Sequence, residues 1–408
     1  MHTRKYMLAA AALALVAATQ QASAQKNYGP GVTDSEIKLG QTQPYSGPAS
    51  AYSVMGRVEM AYFNRLNAEG GVNGRKIKLI SLDDGFSPPK AVEMTRQLVE
   101  SEKVLALFGA LGTPPSVAVA KYVNERKVPH LLIASGAPRW GDPKQNPWST
   151  AFYVLQNVEA RIYARYILQT KPDARIGVLY PNDDFGKGYL HAFRAALGDK
   201  ARAMIVKESS YDLTDPTIDS QMIELKNSGA DTLFNAATAK FAAQAIRKAA
   251  DLGWKPFHVL IAASSSMAYV MKPAGLENSK DIITSQFLKM PDDPEWTDDP
   301  QMKAYYAFMK QWAPNEVASD ATPALAYMTA QLMVTILRNC GDDLSRENVM
   351  KQATTLKDME LPLMTPGIKV SYTTDDYTPF RHARMARFDG ARWVGFGGLV
   401  SSEGSPTN

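Results

Sequence analysis

The clearest indication of the fold comes from the stretch Val104 to Val117, which reads VLALFGALGTPPSV. Its apolar beginning, 104–108, is typical of a short strand buried in a parallel sheet. Two glycines then free the backbone for a turn. A threonine followed by proline predicts a helix start, with Thr113 as the N-cap and Pro114 at the first helical position. The stretch therefore predicts a strand, a glycine turn and a helix.

The start of this helix offers a place for a small anion. A helix that begins at the carboxyl end of a parallel strand presents free backbone amides to a ligand. Pro114 and Pro115 carry no N–H, so two of those amides are missing. We therefore expect a small carboxylate, held mostly by the Thr113 side chain and the turn at Gly112, and not a phosphate. A buried strand-to-helix junction without a ligand is the alternative.

The same alternation of strand and helix signals continues along the chain. Predicted strands lie at 37–42, 76–82, 104–108, 129–134, 175–180, 203–208, 231–235, 257–262 and 282–287, and predicted helices at 54–66, 89–101, 113–127, 159–170, 187–197, 216–228, 240–253, 300–312, 323–339 and 345–353, before a β-rich tail. A loop at 135–150 interrupts the pattern. We therefore predict an α/β protein of two doubly wound parallel-sheet lobes. The predicted division is 25–150 plus about 281–345 for lobe 1, and 151–280 plus about 346–400 for lobe 2.

Residues 1–24 have the pattern of a secretory signal peptide. Basic residues precede an apolar run at 7–18, and Ala-Ser-Ala at 22–24 fits a cleavage site. We predict export to the periplasm, with Gln25 as the first residue of the mature chain. No later stretch approaches the roughly 20 apolar residues of a membrane span, so we expect no direct membrane insertion.

The charge of the mature chain is almost balanced. Of the 45 basic residues, Arg4 and Lys5 lie in the targeting segment, which leaves 43 against 41 acidic residues and a net charge of about +2. Such a balance gives no electrostatic footprint for nucleic acid or an anionic membrane. The single cysteine, Cys340, cannot form an internal disulfide, so stability must come from a large core.

Signatures of catalysis and of metal binding are absent. The mature chain has histidines only at 130, 191, 258 and 382, with no pair at metal-ligand spacing. We therefore predict no metal and no cofactor. G-x-S-x-G and the glycine-rich phosphate motifs do not occur. The serines at 264–266 follow a predicted strand without a linked histidine, which favours a loop or ligand contact over a nucleophile. We predict a binding protein and not an enzyme.

Four segments occur in an order and spacing that are specific in combination. They are Ser46-Gly47-Pro48, NAEGGVNG at 67–74, Asp83-Asp84 and the turn at 109–116. Together they resemble the leucine/isoleucine/valine-binding type of periplasmic solute receptor for ATP-driven importers. The resemblance implies the type I periplasmic binding protein fold, in which two α/β lobes joined by a hinge clamp a small molecule. It also implies a membrane permease of an ABC transporter as partner.

The resemblance, carried over position by position, implies a set of ligand contacts. Thr113 beside Gly112 corresponds to the hydroxyl that binds the ligand carboxylate, and Ala134, Ser135 and Gly136 correspond to a second carboxylate-binding loop. Further candidate contacts and walls are Tyr52, Phe185, Thr238, Ser264, Tyr45 and Tyr153, with Trp140 and Tyr269. For Tyr52 and Phe185, packing in the protein core is the alternative to a ligand contact.

Two departures from the family pattern bear on the ligand. Gly136 stands where amino-acid receptors carry a second hydroxyl. No acidic residue occurs from 252 to 276, where those receptors place the carboxylate that pairs with the ligand ammonium. A buried ammonium without that partner is costly. We therefore expect an aromatic carboxylate such as a benzoate or hydroxycinnamate, while an aliphatic keto or fatty acid satisfies the same argument.

Three alternatives remain open. A branched-chain or other amino acid is the ligand if an aspartate reaches its ammonium from another direction, and the candidates are Asp83, Asp84, Asp183 and Asp184. A ligand-sensing domain for a signalling partner would use the same pocket without a permease. An exported hydrolase would use one of the serines.

Overall fold

The computed structural model describes residues 26–403, so the predicted targeting segment lies outside the described residues. In chain order the strands are β1 Asn27–Tyr28, β2 Glu36–Gln43, β3 Lys76–Asp83, β4 Ala106–Phe108, β5 His130–Ile133, β6 Ser149–Ala151, β7 Ile176–Pro181, β8 Ile205–Tyr211, β9 Thr232–Asn235, β10 Phe257–Leu260, β11 Ile283–Gln286, β12 Asp343–Leu344, β13 His382–Phe388 and β14 Trp393–Ser401.

Helices separate most of these strands. They are α1 Val54–Ala68, α2 Pro88–Arg96, α3 Thr113–Glu125, α4 Gln156–Thr170, α5 Asp184–Leu197, α6 Ala201–Met204, α7 Asp219–Asn227, α8 Ala239–Asp251, α9 Lys272–Ala274, α10 Pro300–Trp312, α11 Ala321–Cys340 and α12 Arg346–Thr354. None of the helices described is long and apolar enough to cross a membrane.

Residues 104–117 form the predicted strand, turn and helix, with one correction. The prediction of Thr113 as the N-cap is wrong, because Gly112 occupies that position and Thr113 is the first residue of α3. Gly112 has a φ of 98°, which favours glycine. A Cβ at this position would also lie 2.3 Å from the Phe86 ring. The turn therefore needs glycine where the helix begins, and the threonine moves one position into the helix.

Two sheets organise the molecule. The first has the order β3-β2-β4-β5-β6 with all neighbours parallel, and the second has the order β14-β13-β11-β10-β9-β7-β8. In the second sheet the five strands β7 to β11 are parallel. The hairpin β13-β14 pairs antiparallel with β11 at the edge of this sheet. The first and last short strands, β1 and β12, pair with each other. The parallel sheets agree with the predicted α/β class.

Aromatic clusters pack helices onto each sheet. Beside the first sheet, Tyr327 of α11 lies 5.2 Å from Tyr62 of α1 and 5.0 Å from Phe308 of α10, measured between ring centroids. In the second lobe, Phe193 of α5 stacks on Phe234 of β9 at 4.2 Å. Burial of large aromatic surfaces on both sheets supplies the core that the absence of disulfides requires.

Two segments pair differently from the predicted division of the chain. The strand β11, assigned to lobe 1 because it follows residue 281, lies between β10 and β13 in the second sheet. The helix α12, assigned to lobe 2, follows β12, and its Arg346 guanidinium donates to the carbonyls of Val104 (2.8 Å) and Leu105 (3.0 Å) beside β4. The chain therefore returns to the first sheet after β11 and leaves it after α12.

Candidate ligand-binding site

A cavity lies between the two sheets, beyond the carboxyl ends of several parallel strands, which is where open α/β sheets bind ligands. Its empty space is about 920 Å³ with adjoining solvent included. The lining residues are Tyr52, Met55, Phe86, Leu111, Gly112, Thr113, Ala134, Ser135, Gly136, Tyr153, Phe185, Thr238, Ala262, Ala263, Ser265, Ser266, Ser285, Gln286, Phe287, Leu288, Met290, Ala321, Thr322 and Leu325.

Most of the predicted contacts lie in this lining. They are Gly112, Thr113, Ala134, Ser135, Gly136, Tyr52, Tyr153, Phe185 and Thr238. Their contact with a ligand remains a prediction. Ser264 and Tyr45 lie outside the lining: the Ser264 hydroxyl donates to the Ala237 carbonyl (2.6 Å), and the Tyr45 hydroxyl bonds to that of Ser81 (2.7 Å). Trp140 and Tyr269 do not line the cavity either.

Thr113 and Ser135 form a hydrogen-bonded hydroxyl pair with an oxygen–oxygen distance of 2.7 Å. The Ser135 oxygen also accepts from the Trp140 indole N–H (3.0 Å) and from the Ala137 amide (3.3 Å). A serine hydroxyl has two acceptor positions and one proton, so Ser135 donates its proton to Thr113. The Thr113 proton is then free to face the cavity, and the Thr113 amide, as the first of α3, has no intrahelical acceptor. Both donors suit an anionic oxygen.

Gly136 stands in a place where no side chain fits. A Cβ at this position would lie 2.6 Å from the Val154 carbonyl oxygen in the connection after β6. The Gly136 carbonyl also accepts from the Gln156 amide at 2.6 Å. The close approach of this connection therefore excludes a second hydroxyl side chain at position 136, and Ser135, one position earlier, lines the cavity.

Aromatic side chains from three segments form the walls. The Tyr52 hydroxyl, ahead of α1, accepts from the Ala239 amide at the start of α8 (2.9 Å), so this ring spans from the first lobe to the second. Phe185 packs edge-on against Tyr189 at 5.2 Å, and Tyr153 packs edge-on against Phe287 at 5.5 Å. Burial raises the pKa of the Tyr52 and Tyr153 hydroxyls, so both stay neutral.

The described lining contains no Asp, Glu, Lys, Arg or His side chain. One carboxylate, Glu159, lies directly behind it and is fully buried. It accepts from the Ala262 amide (2.9 Å), the Ser285 hydroxyl (3.0 Å) and the hydroxyls of Tyr163 (2.7 Å) and Tyr189. Four protein donors use its lone pairs, so Glu159 would have to give up some of these bonds to pair with a ligand ammonium.

A second carboxylate, Asp320, caps α11 beside the cavity. Its Oδ1 accepts from the Thr322 amide (3.1 Å), and its Oδ2 accepts from the Ser266 hydroxyl (2.6 Å) and the Ala268 amide (3.0 Å), both in the turn after β10. The Asp320 carboxylate is therefore also bonded to protein donors, and its bonds to Ser266 and Ala268 connect the two lobes. The aspartates considered as ammonium partners, Asp83, Asp84, Asp183 and Asp184, do not line the cavity.

Comparison of the sequence with known protein families gives a match to the family described as periplasmic binding protein, over residues 36–392. The chain belongs to the periplasmic binding protein family. A curated relative, Leu/Ile/Val-binding protein homolog 7 of Brucella suis, is 24% identical over 294 residues, which cover 69% of this chain and 69% of the relative.

Solved structures of other periplasmic binding proteins have the same fold. A branched chain amino acid ABC transporter protein from Thermus thermophilus with bound valine has a TM-score of 0.81 at 16% identity, covering 91% of this chain and 97% of the other. A fatty acid ABC transporter substrate-binding protein from Thermomonospora curvata has a TM-score of 0.75 at 21% identity, covering 93% and 95%. The predicted type I periplasmic binding protein fold is thus confirmed.

Three polar residues of this periplasmic binding protein were missed from the sequence. Glu159 begins the predicted helix 159–170 and Asp320 lies just before the predicted helix 323–339, and the sequence does not show which groups either side chain meets. Gln286 carried one signal, since it is a polar residue at the carboxyl end of the buried strand β11, and such positions face the ligand crevice in α/β sheets.

Proposed function

We propose that this periplasmic binding protein is the solute-binding component of an ABC importer and captures a small carboxylate between its lobes. The observation that carries the proposal is the unused Thr113 proton at the start of α3, beside a cavity whose other lining side chains are apolar or hydroxyl-bearing apart from the Gln286 amide. A carboxylate at this place would accept from the Thr113 hydroxyl and amide. The protein would perform no chemistry on the ligand and would present its closed form to a membrane permease.

Two observations favour different ligands within this class. The names of similar proteins favour a branched-chain amino acid, because one relative is named for Leu/Ile/Val binding and one solved structure holds valine. The lining favours an acid without an ammonium group, because the carboxylates Glu159 and Asp320 next to the cavity are occupied by protein donors. Aromatic acids and fatty acids belong to this second group, and one similar structure is named for fatty acids.

Calorimetric titration of the ligand-free protein separates these candidates. The titrants are leucine, valine, benzoate, 4-hydroxycinnamate and octanoate. Tight binding of leucine or valine alone would assign a branched-chain amino acid and would require Glu159 or Asp320 to exchange partners. Binding of the acids without the amino acids would assign an ammonium-free carboxylate. Failure of all five to bind at millimolar concentration would overturn the proposal of a small carboxylate.

We further propose that the protein acts in the periplasm. The support is membership of the periplasmic binding protein family together with the signal-peptide pattern of residues 1–24.

A further inference from the structure

Gln286 is a buried amide side chain that faces the cavity without a protein partner. It ends β11, lines the cavity and is only 7% exposed. Its Nε2 is buried and has no hydrogen bond among the described residues. Neighbouring polar groups are occupied elsewhere: the Ser285 hydroxyl donates to Glu159 and the Ser265 hydroxyl donates to the Ala262 carbonyl.

An unpaired buried amide is unfavourable for the protein on its own. Desolvating such a group without a hydrogen bond destabilises the fold, whereas an apolar side chain of similar shape in its place is neutral or stabilising. A glutamine kept here therefore indicates that its partner comes from outside the protein. The hydroxyl of Tyr153 is a second cavity-facing group without a bond among the described residues, and its ring contacts Phe287, next to Gln286.

We propose that Gln286, assisted by Tyr153, recognises a hydroxyl group on the ligand that is separate from the carboxylate bound at Thr113. The inference rests on the proposed function and specifies its ligand class. Gln286 ends β11 of the second sheet, and Thr113 begins α3 after β4 of the first sheet, so two different groups of one ligand would be held from the two lobes.

The chemistry of the amide selects a hydroxyl among the possible groups. A carboxylate accepts from Nε2 but places negative charge against Oε1, and an ammonium donates to Oε1 but leaves Nε2 unpaired. A hydroxyl accepts and donates, so it satisfies the amide in either orientation of its two ends. A ligand without such a group would leave the amide buried and unpaired, which is how a polar site rejects an apolar analogue.

Matched solute pairs that differ by one hydroxyl test this inference in the full-length mature protein. The pairs are benzoate with 4-hydroxybenzoate, cinnamate with 4-hydroxycinnamate, and valine with threonine. In at least one pair, the hydroxylated member should bind about tenfold or more tightly than its analogue, measured by calorimetry. Gln286→Leu should abolish this preference, and Tyr153→Phe should reduce it. The control Gln352→Leu, on α12 and outside the cavity lining, should keep it.

A ligand-free measurement provides an independent readout. The melting temperature of unliganded Gln286→Leu should equal or exceed that of the unsubstituted protein, because an unpaired amide is removed. A lower melting temperature would show that Gln286 has a structural partner and would overturn the inference. So would a hydroxyl preference that persists in Gln286→Leu, or tighter binding of the analogues that lack the hydroxyl. Failure of every probe to bind would overturn the proposed function and the inference together.

Discussion

Thr113 is the residue on which the proposed carboxylate contact depends most directly. Because Ser135 already accepts from Trp140 and Ala137, the Thr113 hydroxyl accepts from Ser135 and its own proton is available to the proposed carboxylate. Thr113→Ala should weaken binding of the cognate carboxylate by about 1.5 to 3 kcal/mol, the range for a hydrogen bond to a charged group, measured by isothermal titration calorimetry. Thr113→Ser keeps the hydroxyl and is the matched control. Equal affinity in the alanine variant, with an intact circular dichroism spectrum, would contradict the assignment.

Single residues of the site were predictable where the signal is local. Thr113 and Ser135 follow recognisable strand ends, and both line the cavity. The serine triplet shows the limit of such reasoning. The 3-10 turn Ala262–Ser264 directs Ser264 inwards to the Ala237 carbonyl, while the two serines that follow it line the cavity. The local geometry of this short turn determines which serines line the cavity, and no periodic pattern in the sequence indicates it.

At the scale of elements, the capped start of α11 connects the two lobes. Asp320→Asn keeps an oxygen for capping, since asparagine is an equally good N-cap, but its NH₂ cannot accept from the Ser266 hydroxyl and the Ala268 amide. The closed form should lose these bonds. We expect the affinity for every ligand that binds to fall by about tenfold, because the substitution weakens lobe closure and does not remove a ligand contact.

Titration of two chemically different ligands checks the Asp320 prediction. If Asp320→Asn lowers the affinity for both ligands by the same factor, a role of Asp320 in lobe closure is supported. Unchanged affinity, or loss confined to one ligand, would contradict it.

Helices and strands with strong periodicity were predicted within a few residues, and the errors have local causes. The strand β6, Ser149–Ala151, was missed because it is short, polar and enclosed by a proline-containing loop, and its register with β5 is irregular. The start of α3 was misplaced by one residue because the clash between a Cβ at position 112 and the Phe86 ring depends on a tertiary contact. The pairing of β11 with β10 also depends on three-dimensional neighbours.

At the scale of the whole molecule, hydrogen bonds across the cleft join residues that are remote in the sequence. Tyr52 and Ala239 are 187 positions apart, and Ser266 and Asp320 are 54 apart. Strand and helix signals predict that two lobes exist but contain no information on which residues meet between them. The resemblance to a family supplied the clamp arrangement, and only the structure supplies the residues that close it.

The stability of the whole molecule should depend on pH through Asp292, which follows the cavity-lining Met290. Both carboxyl oxygens of Asp292 are buried without a hydrogen bond among the described residues. Burial, with smaller contributions from the charges of Asp320 and Asp293, raises its pKa from 3.8 to about 7. Below pH 3.8 Asp292 is protonated in both the folded and the unfolded chain, so its ionisation does not lower the free energy of unfolding. As pH rises, the unfolded chain ionises first, and the folded state loses relative stability until about pH 7.

Asp292→Asn removes the ionisable group and should therefore raise the free energy of unfolding at pH 8 by about 1 kcal/mol or more, with little effect at pH 4. Urea denaturation of both proteins at the two pH values measures the difference. The expected result is a stabilisation that appears between these pH values and levels off above pH 7. A stabilisation of the same size at pH 4 and pH 8 would show that packing, and not the charge of Asp292, is responsible.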